Sequence, residues 1–292
     1  MDEPSVETLV PPSDALESAL RRIDEISTLP QIALRVMQVA NDPHSGAADL
    51  KEVMESDAAL SARVLRCVNS SAYALRTKIT NLQQAIAYLG LKQIRNLAMT
   101  ASVSELFAKE EMIGIYRRSQ LWRHLVSVGL CARLIAMRMR FMNFEDMFLA
   151  GLLHDIGIVL EDQHVHSGFF LVIRSLAKDK TLAEVERKHL GFDHTELGER
   201  VAAAWGFPDS VKATIRHHHN STGYRGDQID LVRCVEVANL LCSLKGISSV
   251  GASLVRVSQP AIRALGLSKQ DLLVLADDLE HEIASNQNLF TM

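Results

Sequence analysis

The stretch Leu149-Ala150-Gly151-Leu152-Leu153-His154-Asp155-Ile156-Gly157 constrains this chain more than any other. Seven of its nine residues are apolar or glycine, and the other two are an adjacent imidazole and carboxylate. Burying such a pair is costly unless a metal ion, a charged partner or a hydrogen-bond network compensates. Which of these holds decides whether such a chain is an enzyme or the remains of one.

The flanking pattern is helical. Asn143-Phe144-Glu145-Asp146 reads as the cap of the helix that carries His154-Asp155, apolar nearly all round between Met147 and Leu153. Before it, residues 116–140 form one long helix whose stripe of Leu121, Leu125, Val128, Ala132 and Ile135 places His124 on or beside the buried face. Residues 13–108 read as short helices, with Asp57 and Asn81 as caps and Gly90 as a stop. Leu29-Pro30 is a break and restart, and Lys109-Glu110-Glu111 a subdomain boundary. His164 and His166 fall in a polar link. Thr181 caps a helix that Gly191 stops, and Asp193-His194-Thr195-Glu196 is a capping box with His194 in the first turn. Pro208 starts a helix ending at His217-His218-His219, and residues 231–244 form another with Asn239 facing inward. Ser258 and Ser268 cap two tail helices.

The expected fold is all-α: a disordered tail (1–12), an N-terminal small helical bundle (13–108), and a larger helical part (109–292) on which the bundle packs. With only 5% aromatics the core must be aliphatic, and 292 residues suffice for it. A net charge of −4 gives no field that attracts DNA. Cys67, Cys131, Cys234 and Cys242 form no C-x-x-C pair and read as buried thiols of a reducing compartment. The start, Met1-Asp2-Glu3-Pro4, has no signal pattern, and no apolar run reaches the roughly 18 residues of a membrane span. A cytoplasmic location is expected.

Five segments place metal-ligand residue types on or near apolar faces: His124, His154-Asp155, His194, His217-His218 and Asn239. Imidazoles with a carboxylate suit zinc, manganese or iron, one ion or two. Such a site can activate water against a phosphoryl group. The alternative is a set of core residues that merely hydrogen-bond one another. A second cluster is basic: Arg63, Arg66, Arg76, Lys78, Lys92 and Arg95 could form one patch for an anionic ligand or partner, or an ordinary solvated face.

Leu29-Pro30 with the helix after it resembles the opening of an HDOD domain (HD-related output domain). So do Ser56-Asp57-Ala58-Ala59-Leu60-Ser61-Ala62-Arg63-Val64-Leu65-Arg66-Cys67-Val68-Asn69-Ser70 and residues 79–96 around Ala85-Ile86-Ala87-Tyr88-Leu89-Gly90. The likeness extends over about residues 25–245. It implies a helical bacterial signalling module related to HD-type phosphohydrolases, in a family without a settled catalytic activity. By similarity to HD and HD-GYP hydrolases, His124 is the first histidine ligand and His154-Asp155 the HD pair. His194, His217 and His218 match the histidines of a second metal, with the register in His217-His218-His219 open by one. Asn239 stands where the closing aspartate is expected, and Ile158 where HD-GYP enzymes carry a phosphate-binding lysine. The resemblance thus implies a signalling output or interaction module with a retained metal site, engaging a signalling protein or a nucleotide. Its alternative is a metal-dependent phosphohydrolase acting on a nucleotide or cyclic dinucleotide, with Asp155 as the catalytic residue.

Overall fold

The apolar spacings become helices from the first described turn onward. The computed structural model describes residues 12–26, 29–73, 75–177, 180–248, 250 and 259–292. Residues 1–11, most of the expected disordered tail, lie outside it, as does Ser258. The N-terminal bundle comprises α1 (Pro12–Ile26), α2 (Gln31–Asn41), α3 (Ala47–Glu55), α4 (Ala58–Val68), α5 (Leu82–Leu89) and α6 (Leu91–Val103). Asp57 accepts from the Leu60 amide and Asn81 from the Gln84 amide, both at 2.9 Å, so the expected caps start α4 and α5.

At the charged break the chain makes a two-stranded antiparallel hairpin, β1 (Met112–Ile113) and β2 (Tyr116–Arg117), which helical periodicity does not foresee. Then follow α7 (Arg118–Arg138), α8 (Phe144–Leu153), α9 (Ile156–His164), α10 (His166–Ser175), α11 (Leu182–Leu190), α12 (His194–Ala204), α13 (Asp209–His217) and α14 (Ile229–Leu244). The tail is α15 (Gln259–Ala264), α16 (Lys269–Ser285, capped by Ser268) and a single turn, α17 (Gln287–Phe290).

Three expectations are corrected. The HD pair does not ride inside one helix: α8 ends at Leu153, and Asp155 (φ −107°, ψ 21°) lies in the break before α9. The His154 ring donates to the Gly151 carbonyl at 2.7 Å, a side-chain bond that competes with continuing the helix. His164 and His166 end α9 and begin α10 and are no polar link.

The basic residues form no single patch. Arg95 is fully buried between the bundle and α8, bonded to Asn41 (3.1 Å) and Asp146 (3.0 Å). Lys92 shares Asp146 at 2.6 Å, and Arg63 pairs with Glu105 at 2.5 Å. Carboxylates far away in sequence neutralise half of the expected cluster.

The core centres on α7, which packs against α8, α14 and α16. Helices α7 and α8 touch backbone to backbone. A Cβ on Gly151 would lie 2.8 Å from the Gly129 Cα, and one on Gly129 would lie 2.9 Å from the Phe148 carbonyl oxygen. Among the described residues, all four cysteines are buried and unpaired, and no helix is long and apolar enough to cross a membrane.

Candidate metal centre

Four elements deliver the histidines to Asp155. The α7–α8 crossing sets His124 against His154, ring centroids 5.2 Å apart. Helix α12 brings His194 from the other side. It comes so close that a Cβ on Gly157 would fall 2.0 Å from the His194 carbonyl oxygen, so only glycine fits there. The end of α13 supplies His218 and His219.

Asp155 is the hub. Its Oδ1 lies 3.0 Å from His218 Nε2 and 3.5 Å from His194 Nε2, and its Oδ2 lies 3.3 Å from His154 Nε2 and 3.6 Å from His124 Nε2. His219 Nε2 stands 2.9 Å from His194 Nε2 and 3.1 Å from His218 Nε2. Two overlapping groups result, His124-His154-Asp155 and Asp155-His194-His218-His219, the donor atoms of each within 4.8 Å of one another. All are buried but His219, whose residue is exposed at the rim while its Nε2 faces inward.

The other ring nitrogens explain the arrangement. Nδ1 of His124 meets the Ile247 carbonyl at 2.8 Å, that of His154 the Gly151 carbonyl at 2.7 Å, and that of His218 the Ile215 carbonyl at 3.0 Å. A carbonyl only accepts, so each Nδ1 carries the proton. In the neutral ring Nε2 then presents a lone pair. For His194 the acceptor is Glu186 Oε2, 2.7 Å from Nδ1, which also accepts from the His194 amide at 3.1 Å. In the neutral rings of His124 and His218 the Nε2 lone pairs therefore face a carboxylate, whereas His194, lifted by Glu186, keeps a proton on Nε2 at neutral pH. Among the described residues, His154 Nε2 and Asp155 Oδ1 are buried and make no well-angled hydrogen bond.

The titrating groups of the cluster are shifted in opposite directions. Burial pushes His124 down to about 4, and the neighbouring His154 ring adds to this. Burial would raise the Asp155 carboxyl, but His154 and His218 outweigh it and hold the group well below the usual range. Burial would also lower His194, yet Glu186 lifts it to about 9. Glu161 stands behind Glu186, and burial together with the Glu186 charge raises its carboxyl well above normal.

A void of about 10 Å³, room for one water-sized sphere, lies among His124, Asp155, Ile158, His194, His219 and Asn239. The Ser243 hydroxyl also lines it and has no hydrogen-bond partner among the described residues. Converging imidazoles, a bridging carboxylate and orphaned inward acceptors fit a divalent ion of the zinc, manganese or iron kind. A larger open pocket, about 550 Å³, lies over His218 and His219 with Arg187 and Arg216 on its walls. Asp193 pairs with Arg187, and Glu196 with Arg216 at 3.0 Å.

The structure thus gathers His124, His154, Asp155, His194 and His218, with Asn239 beside them. It leaves out His217, whose ring packs on Tyr224 at 5.2 Å, and brings in His219. Glu186 and Glu161 escaped the sequence reading. The available signal was Glu186 beside Val185 and four residues after Leu182, on the apolar face of its helix.

The sequence profile of the HDOD domain matches residues 26–221. An HDOD domain protein of unknown function from Geobacter sulfurreducens has a similar structure, with 27% identity, a TM-score of 0.77, and 95% of this chain and 97% of that one covered. A protein from Marinobacter aquaeolei VT8, described provisionally as a signal transduction protein, gives 25% identity and a TM-score of 0.76 over 96% of this chain and 64% of its own. One from Shewanella amazonensis SB2B, described provisionally as a metal-dependent phosphohydrolase, shares the fold at 22% identity and a TM-score of 0.61, with 95% and 99% covered. An uncharacterized protein of Treponema pallidum (strain Nichols) is 24% identical over 75% of this chain, which spans only 42% of that relative's length.

Proposed function

The chain belongs to the HDOD domain family, and we propose that it is a bacterial signalling output module whose HD-like half holds one or two divalent metal ions. The observation that carries this reading is the set of four Nε2 atoms turned on Asp155, each ring fixed by an acceptor at Nδ1. A hydrogen-bonded core would alternate donors with acceptors. Here the neutral His124 and His218 rings turn acceptor nitrogens on a carboxylate, an arrangement that a bound cation relieves. His124, His154 and Asp155 would hold one ion, and Asp155, His194, His218 and His219 the other.

Elemental analysis of protein purified without added metal tests this. At least about one equivalent of transition metal is expected, and less than about a tenth of an equivalent overturns the reading.

A phosphohydrolase activity is the second reading, favoured by the open pocket over His218 and His219. A bound divalent ion would lower the pKa of a coordinated water and polarise a phosphoryl oxygen. Asp155 would hold the ion, Glu186 would orient His194, and Ile158 and Leu182 would keep the inner wall dry. Two residues weigh against efficient turnover. Asn239 adds a neutral amide where a carboxylate would add charge, and Ile158 adds no cation for a phosphate. Phosphodiesterase assays with manganese and iron decide between the readings. Turnover abolished by Asp155→Ala, with the fold intact by circular dichroism, would replace the non-enzymatic reading.

A further inference from the structure

Arg66 and Lys78 belong to the basic cluster of the sequence, yet neither makes an ion pair or hydrogen bond among the described residues. They line a separate groove of about 830 Å³ on the N-terminal bundle. One wall is the last turns of α4, which carry Leu65 and Arg66, followed by Ser70. The other is the segment before α5, with Leu75, Thr77 and Lys78. No carboxylate lines it among the described residues, although the chain as a whole has 35 acidic residues against 31 Lys and Arg.

The groove is held open in advance. The Asn69 amide nitrogen donates to the carbonyls of Leu65 and Ile79, and its oxygen accepts from the Ile79 amide, all at 2.8 Å. One side chain thus clasps both walls at a fixed separation. A ligand would meet its cations and hydroxyls with little ordering cost.

We propose that this groove binds a small organic phosphate of nucleotide size. Arg66 and Lys78 would take the phosphoryl oxygens, assisted by Ser70 and Thr77, and Leu65 and Leu75 would take the apolar part. The volume lies in the range of roughly 300–1,000 Å³ common to small-ligand sites. Two cations match one or two phosphates and not the long charge ladder of a nucleic acid, which the net charge of −4 would repel. The site is independent of the metal centre.

Equilibrium dialysis of the full chain, stripped of metal with a chelator, tests this with ATP, GTP and inorganic pyrophosphate as probes. Saturable binding of at least one probe is expected. It should weaken about tenfold or more in Arg66→Glu/Lys78→Glu. Ala62→Trp, which fills the groove without changing its charge, should weaken it similarly. Lys269→Glu, on α16, should leave it unchanged. The proposal is overturned if no probe saturates below about 1 mM. It is equally overturned if Lys269→Glu weakens binding as much as the double variant, or if Ala62→Trp binds like the wild type, since either result means diffuse charge attraction.

Discussion

Glu186 Oε2 accepts from both the ring Nδ1 and the backbone amide of His194, at 2.7 and 3.1 Å. One carboxylate on α11 therefore fixes the rotation, the tautomer and the helix position of a residue on α12. Replacing Glu186 by Gln keeps the volume but removes the charge. Metal affinity should drop about 10- to 100-fold, the usual cost of losing such a partner. Chelator-competition titration measures it, and an unchanged affinity would show that Glu186 only fills space.

The register of the three consecutive histidines is testable. His219→Ala should weaken metal binding clearly, and His217→Ala should leave it within about twofold, because the His217 ring packs on Tyr224 outside the cluster. The reverse ranking would move the site by one residue.

Metal should stabilise the fold, because its donors come from segments that unfolding separates. At a free metal concentration of about 100 times Kd the gain is about 2.7 kcal/mol. Thermal melts of chelated and reloaded protein should differ by several degrees, and Asp155→Ala should erase the difference. Superimposable melts of the wild type would count against the centre.

Gly157→Ala should destabilise the chain by about 2 kcal/mol or more, since the new methyl would meet the His194 carbonyl oxygen at 2.0 Å. Urea unfolding reads this directly. Gly223→Ala, where a Cβ meets nothing within 4 Å, is the control and should shift the midpoint little.

Asp271 gives a pH dependence with a defined sign. The Ser268 hydroxyl and the Arg138 guanidinium lower its carboxyl from 3.8 to about 2. A depressed carboxyl contributes stability above its unfolded pKa and loses it as pH falls through the folded one. The melting-temperature gap between wild type and Asp271→Asn should be constant above pH 4 or so and shrink towards about pH 2. A gap that widens on acidification would contradict the assignment.

Much of the fold was legible because it rests on local signals. Caps at Asp57, Asn81, Thr181, Asp193 and Ser268 are side-chain–backbone bonds within three residues, and such bonds follow from adjacent residue types. The choice between His217 and His219 was not legible, because α13 ends at His217 and helical spacing stops fixing side-chain direction there. Burial of Arg95 was hidden for another reason. Its carboxylate partner, Asp146, lies on α8 and meets it only after the bundle docks. The break at His154-Asp155 was masked by apolar residues on both sides, which continue the pattern while the backbone turns.

Arg95 has a consequence for how the molecule comes apart. A guanidinium bonded to Asn41 and Asn96 on one side and to Asp146 and the Glu145 carbonyl on the other spans the joint, so parting the halves breaks its charge-assisted bonds to α8. The bundle and the helices around Asp155 are thus tied by one side chain, and Arg95→Ala should loosen the hold of one on the other.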